Sequence, residues 1–242
     1  QEIINRLSSE FQESEYRSNI IFVNDNYKNI TMILKSHFIS AADKILLDLG
    51  FSSFHVDESR RGFSFKRDEP LLMTYSADER PVREWLNILS EKQLGEIIRR
   101  FGDERYASRI ARAIKRFLPI LTSGRLSEVV AEALPRVYER GRIHPATRTF
   151  QALRIFANHE MENLETFLET LPNVLSSGGR AAIITFHSIE DRLVKTAFRN
   201  LASTKTTFRL LTKKPITPNE SELAQNPRAR SAKLRVIEKL SL

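Results

Sequence analysis

The chain has 242 residues, no cysteine and a formal net charge of +8, with 41% hydrophobic and 28% charged side chains. That length supports one good core or one and a half domains, and the composition is ordinary for a folded globular protein. The lack of cysteine excludes disulfides and thiolate metal sites and suits a reducing, cytoplasmic setting, while no apolar run approaches the ~18 residues of a membrane span.

Taken in chain order, residues 1–16 read as a short helix, and QEIINRLSSEF lacks the apolar stretch of a signal peptide. NIIFVNDNY (19–27) reads as a strand ending in a polar turn, ITMILKSHF as a helix, and KILLDLGFSS as a fully buried strand followed by a loop. Helix and apolar strand in alternation is the pattern of a parallel α/β sheet. Residues 57–80 are polar and loop-like. From 81 to 140 the periodicity is helical throughout, through VREWLNILS, EKQLGEIIRRF, ERYASRIARAIKRFL and RLSEVVAEALPRVYER. At HPATRTFQALRI (144–155) a proline turn leads into a long helix over 147–171, with Thr147 or Thr149 able to cap it. Phe150, Leu153, Phe156, Ala157, Leu164, Phe167 and Leu168 mark its apolar side, opposite a polar side of His144, Thr147, Arg148, Thr149, Gln151 and Arg154. The turn SSGG (176–179), the strand RAAIITFH and the helix SIEDRLVKTAFRNL follow, the last capped by Ser188 with Asp191 three positions on. FRLLTKK and AKLRVIEKL are strand candidates around the loop 215–227. The expected organisation is one α/β domain interrupted by helices, divided as 1–80, 81–143 and 144–242.

Open α/β sheets place ligands at the carboxyl ends of their strands. Three such ends carry polar residues: Asn26-Tyr27, Asp48 with Gly50, Ser52 and Ser53, and His187-Ser188. Taken singly, Asp48 reads equally well as a cap, and His187 reads more readily as a satisfied structural histidine than as a catalytic one. Their recurrence along one sheet edge favours a site. The five histidines at 37, 55, 144, 159 and 187 show no metal-ligand spacing, so no metal is expected, and neither GxxxxGK[ST] nor GxGxxG occurs. The charge is unevenly placed: residues 1–194 hold 27 basic and 27 acidic side chains, residues 195–242 hold 11 and 3. Arg105, Arg109, Arg112 and Arg116 recur at helical spacing beside an apolar stripe of Tyr106, Ile110, Ala113 and Phe117. Such a stripe reads as a solvated face or as a surface for a polyanion, for which a phosphate backbone is the natural choice.

Five blocks carry a resemblance: DLGFSSFHVDESRRGFSF (48–65), FGDERYASRIARAI (101–114), HPATRTFQALRI (144–155), GGRAAIITFHSIEDRLVK (178–195) and NPRARSAKLRVIEK (226–239). In this order they resemble the signatures of the small-subunit ribosomal RNA cytosine-N4 methyltransferase family, also called RsmH or MraW. The resemblance implies a class I, Rossmann-like methyltransferase sheet using S-adenosylmethionine. It further implies an all-helical insertion over 81–143 that recognises RNA, and methylation of a cytosine in the decoding centre. Small-subunit ribosomal RNA, free or in the assembled subunit, is the implied partner, and no membrane is. The alternative is a non-catalytic RNA-binding fragment that has lost cofactor binding.

Carried over residue by residue, the family's cofactor contacts fall on Tyr27, Asp48 and His55. Asp48, shared with catalysis, is the leading acceptor for the cytosine amino group. His187 and Ser188 are expected beside the base, and Arg105, Arg109, Arg112, Arg116, Arg148 and Thr149 on the RNA. The chain departs from the family in having His for Gln at 55, Tyr for Phe at 27 and Phe for Pro at 54. Leu72 and Ser76 replace two acids. The family's Gly-Gly-Gly-His-Ser and Asp-Arg-Asp stretches, which hold methionine and ribose, do not occur, so a shortened pocket and exposed strand edges are expected.

Overall fold

The computed structural model describes residues 5, 11, 19–50, 59–135, 138, 144–203 and 206–241. Most of the helix expected over 1–16, and His55 with its neighbours, lie outside these residues. The chain divides into two compact units, one of Gln1–Asp48 with Glu162–Leu242 and one of Leu49–Met161.

The first unit is built on a four-stranded mixed sheet. Its elements are α1 (Ile30–Ser36), β1 (Ala42–Asp48), β2 (Leu175–Thr185), α8 (Ser188–Leu201), β3 (Phe208–Leu210), α9 (Glu220–Gln225) and β4 (Lys233–Lys239). The order is β1-β2-β4-β3: β1 and β2 run parallel, and β4 lies antiparallel between β2 and β3. The α/β reading therefore holds, with the last two strands closing one side as an antiparallel pair. Four elements differ from expectation. Residues 19–26 pair with no strand among the described residues, because the NDN run satisfies itself locally: Asp25 Oδ1 accepts from Asn29 Nδ2 at 2.7 Å, and Asn26 Oδ1 from Lys28 N at 3.1 Å. β1 is not fully buried. Among the described residues it has β2 as its single strand neighbour, and Leu46 is 69% exposed. SSGG is not a turn before a strand but a bulge inside β2: Ala42 pairs with Leu175 and Lys44 already with Arg180. Gly178 takes φ +75°, and a Cβ on Gly179 would stand 2.8 Å from the Ser176 carbonyl oxygen. Finally, α8 is capped by His187 rather than Ser188. The core of this unit includes Ala181 and Ile183 of β2, Val194 and Phe198 of α8, and Ile237 of β4.

The second unit is helical: α2 (Val82–Ile88), α3 (Glu91–Gly102), α4 (Ala107–Arg116), α5 (Ser123–Ala133) and α6 (Thr147–Ala157). Ser90 and Gln93 form a capping box at the start of α3. Lys115 Nζ donates to the carbonyls of Leu86 and Leu89 at 2.8 Å each, satisfying the open end of α2. Leu94, Ile98, Ile110, Ile114, Leu126 and Leu153 are buried between the helices, each worth about 2 kcal/mol of burial. Gly102 allows α3 and α6 to touch, since a Cβ there would meet the Arg148 carbonyl oxygen at 2.7 Å.

The single helix expected over 147–171 is broken into α6 and α7 (Glu160–Val174). Asn158 causes the break by serving a different part of the unit. Its Nδ2 donates to the Met73 and Arg154 carbonyls, its Oδ1 accepts from Tyr75 N, and His159 turns the chain with φ 51°. No helix of the described residues is long and apolar enough to cross a membrane.

Candidate active site

Because β1 and β2 are parallel, their carboxyl ends lie on one edge of the sheet, and the register sets Asp48 opposite Ile184. Asp48 is exposed and its carboxylate takes no hydrogen bond among the described residues. Dehydration at the strand end nonetheless pushes its carboxyl above the ordinary range. The result is an open acceptor whose lone pairs are uncommitted among the described residues.

Three residues past Ile184, His187 starts α8. Its Nδ1 accepts from Glu190 N at 3.3 Å, while Glu190 Oε2 accepts from Phe186 N at 2.8 Å and His187 N at 3.3 Å. His187 Nε2 lies 3.0 Å from Glu190 Oε1 but makes no hydrogen bond there, and the side chain is only 10% exposed. His187 is thus committed to the helix start, while the next residue, Ser188, is exposed. Placing the cap on Ser188 misreads the spacing by one residue: the box is His187 with Glu190, and His is an unusual cap. Asp191 does not serve the cap at all. It forks to Arg235 Nε at 2.7 Å and Nη2 at 3.1 Å, with Lys233 Nζ at 3.4 Å, tying α8 to β4. Dehydration raises the Asp191 carboxyl, but the bonds and charges of Arg235 and Lys233 outweigh it, and the net shift is downward.

Tyr27 is half-buried in a 3-10 turn, Tyr27–Asn29, with its ring edge-on to Phe167 at 5.7 Å. It belongs to the same unit as Asp48 and His187 but does not end a strand.

The arginine stripe changes in detail. α4 begins at Ala107, so Arg105 precedes the helix and lies 4.8 Å from the Tyr106 ring. The buried stripe is Ala107, Ile110, Ala111 and Ile114, not Tyr106, Ala113 and Phe117. The start moves because Glu104 Oε1 accepts from Tyr106 N at 2.7 Å, which makes Tyr106 the cap position. Arg109, Arg112 and Arg116 remain exposed; Arg112 has an exposed pairing with Glu91 at 3.4 Å. Such a pair adds little.

At the start of α6 the expectations separate. Arg148 is half-buried, with Nη1 3.9 Å from Glu104 Oε2, and Glu104 also accepts from the Tyr138 hydroxyl. Thr149 is fully buried and cannot touch RNA, and its hydroxyl makes no hydrogen bond. It faces inward because α6 buries Thr149, Phe150 and Leu153 together on one side. Neither Thr147 nor Thr149 caps the helix: the cap position is Ala146. Sequence reasoning had no signal for Glu104, whose partners are 2 to 44 positions away.

With the geometry laid out, comparison with known proteins is informative. Residues 1–240 match the family model described as the MraW methylase family. The chain is 43% identical over 235 residues to "Ribosomal RNA small subunit methyltransferase H" of Anaeromyxobacter sp. (strain K), covering 90% of this chain and 76% of that relative. Proteins of the same name from Nostoc punctiforme and Trichodesmium erythraeum are 44% and 46% identical. Those alignments cover 94% and 97% of this chain and 74% and 80% of the relatives.

Proposed function

Since the chain belongs to the MraW methylase family, a methyltransferase family with the class I α/β fold, we propose that it methylates the N4 amino group of a cytosine in small-subunit ribosomal RNA, in the decoding centre and in the cytoplasm. The observation that carries this reading is Asp48: an exposed acid whose carboxylate takes no hydrogen bond among the described residues, at the carboxyl end of a parallel strand. A cytosine amine is a weak nucleophile because its lone pair is delocalised into the ring. An acceptor held against its N–H groups stabilises the positive charge that grows on nitrogen as the new bond forms.

The residues present fit S-adenosylmethionine in character. Asp48 offers an acceptor for an amino group, and the half-buried Tyr27 ring offers an aromatic surface for adenine; His55 is assigned to the same pocket by resemblance to the family. When bound, the cofactor supplies an electrophilic methyl group on sulfonium. The chain's own residues do the rest. Asp48 orients the amine, Ser188 hydrogen-bonds the base, and His187, held in the α8 capping box, positions Ser188 rather than contacting the base. The base reaches these groups unpaired and out of its stack, since in a duplex its amino group is hydrogen-bonded to the partner base. Arg109, Arg112 and Arg116, with Arg105 before the helix and Arg148 in α6, hold phosphates. In this assignment the helices of 81–143 recognise RNA, and 1–80 with 144–242 carry the chemistry.

The test is methyl transfer from labelled S-adenosylmethionine to small-subunit particles lacking the modification, with the product nucleoside mapped by mass spectrometry. N4-methylcytidine is expected, and Asp48→Ala should lower the rate at least about a hundredfold while the fold persists. Label on another base refutes the assignment. RNA binding without transfer favours the non-catalytic reading.

A further inference from the structure

In the helical unit, Phe65 and His144 stack with ring centroids 4.2 Å apart and planes 18° from parallel. Phe150 meets Phe65 edge-on at 5.3 Å. Phe150 is buried, Phe65 half-buried and His144 exposed, so a column of rings runs from the core to solvent and ends in an imidazole. That imidazole is held in place: its Nδ1 accepts from Ala146 N at 3.2 Å. In the neutral ring the proton therefore sits on Nε2, as an outward donor. Lys66 and Arg67 follow Phe65 directly and are exposed. The neighbouring acid, Asp68, accepts from Gly124 N at 2.9 Å.

We infer that His144 is a stacking platform for an unpaired RNA base, with Lys66 and Arg67 on the phosphates beside it. An exposed aromatic plane combined with cations carried on the same segment is the arrangement by which single-stranded nucleic acid is held irrespective of sequence, since every base has a π face. The anchored plane means that little side-chain freedom is lost on binding. A protein-docking patch would instead need a broad apolar surround, and the two residues that follow Phe65 are charged and exposed. The site rests on the reading that the chain acts on ribosomal RNA.

Fluorescence anisotropy with a labelled single-stranded fragment of small-subunit ribosomal RNA, across a series of salt concentrations, tests it on the full chain. His144→Ala should weaken binding about tenfold with the salt slope unchanged, because the stacked ring contacts a base and no phosphate. His144→Phe restores a ring and should recover most of that loss. Unchanged affinity in His144→Ala, or equal loss in both variants, overturns the inference while the ribosomal RNA reading stands. Loss of affinity for the assembled subunit but not for the RNA fragment assigns the patch to a ribosomal protein, and also overturns it. A wild-type chain that binds no RNA removes the ribosomal reading itself and the platform with it.

Discussion

Asp48 and Glu104 are single acids, one in each unit, in opposite circumstances. Asp48 ends an edge strand, is exposed and accepts no hydrogen bond among the described residues; Glu104 is wholly buried and its oxygens serve Tyr106 N, the Tyr138 hydroxyl and the Arg148 guanidinium. A buried carboxylate with its lone pairs in use is architecture, because removing it leaves donors unsatisfied. An open one is available to a ligand and contributes little to the fold. Asp191 falls between the two, mostly buried and fully paired, but on the α8 element whose start faces the strand-end edge.

The contrast is broken most directly at Glu104. Glu104→Ala should destabilise the helical unit by about 4 kcal/mol, leaving Tyr138 and Tyr106 without their acceptor. Urea unfolding measures it. Asp48→Asn in the same assay should change stability little or raise it slightly: the raised carboxyl binds its proton more tightly in the folded state, so the ionised form weakens the fold as pH rises through that range. If Asp48→Asn unfolds the chain as Glu104→Ala does, the distinction between site and scaffold collapses.

A smaller effect is expected at Asp191. Asp191→Asn should cost about 2 kcal/mol at neutral pH by loosening α8 from β4. The folded Asp191 carboxyl lies below its ordinary value of 3.8, so its contribution is complete above that value and disappears as pH falls through the depressed folded one. Stability curves of wild type and variant should therefore converge in acid; a constant gap would show that the Arg235 ion pair is not the cause.

The smallest effect on the fold, and a sharper one on binding, belongs to the exposed arginines. Replacing Arg109 and Arg116 together by Gln should leave the unfolding midpoint in place. The slope of log K against log salt for single-stranded RNA should flatten by roughly one unit, since each phosphate contact contributes about −0.7. A drop in stability with an unchanged slope would reassign α4's outer face to the scaffold.

Much was legible in the sequence wherever the cause is local. The helical run over 82–133, the strand KILLD, the strand RAAIIT and the basic tail follow from periodicity and composition, which need no knowledge of the partner. The long signature blocks also sufficed to identify the family, because they combine residue types that neither packing nor solubility demands. What tertiary structure decided is where a residue's partner lies far along the chain. Asn158 breaks a helix that periodicity runs straight through, because its amide is needed by Met73 and Tyr75, 85 and 83 positions away. Thr149 looked like a polar residue at a helix start and is buried, because its side of α6 faces the core. The apolar Ile45-Leu46-Leu47 of β1 is less buried than the apolar run of β2, because among the described residues β1 has one strand neighbour and β2 has two. Sequence determines which groups a chain has to offer and what they prefer locally; only the packed chain decides which are already spent on one another, since a hydrogen bond between distant residues leaves no trace in the spacing of either.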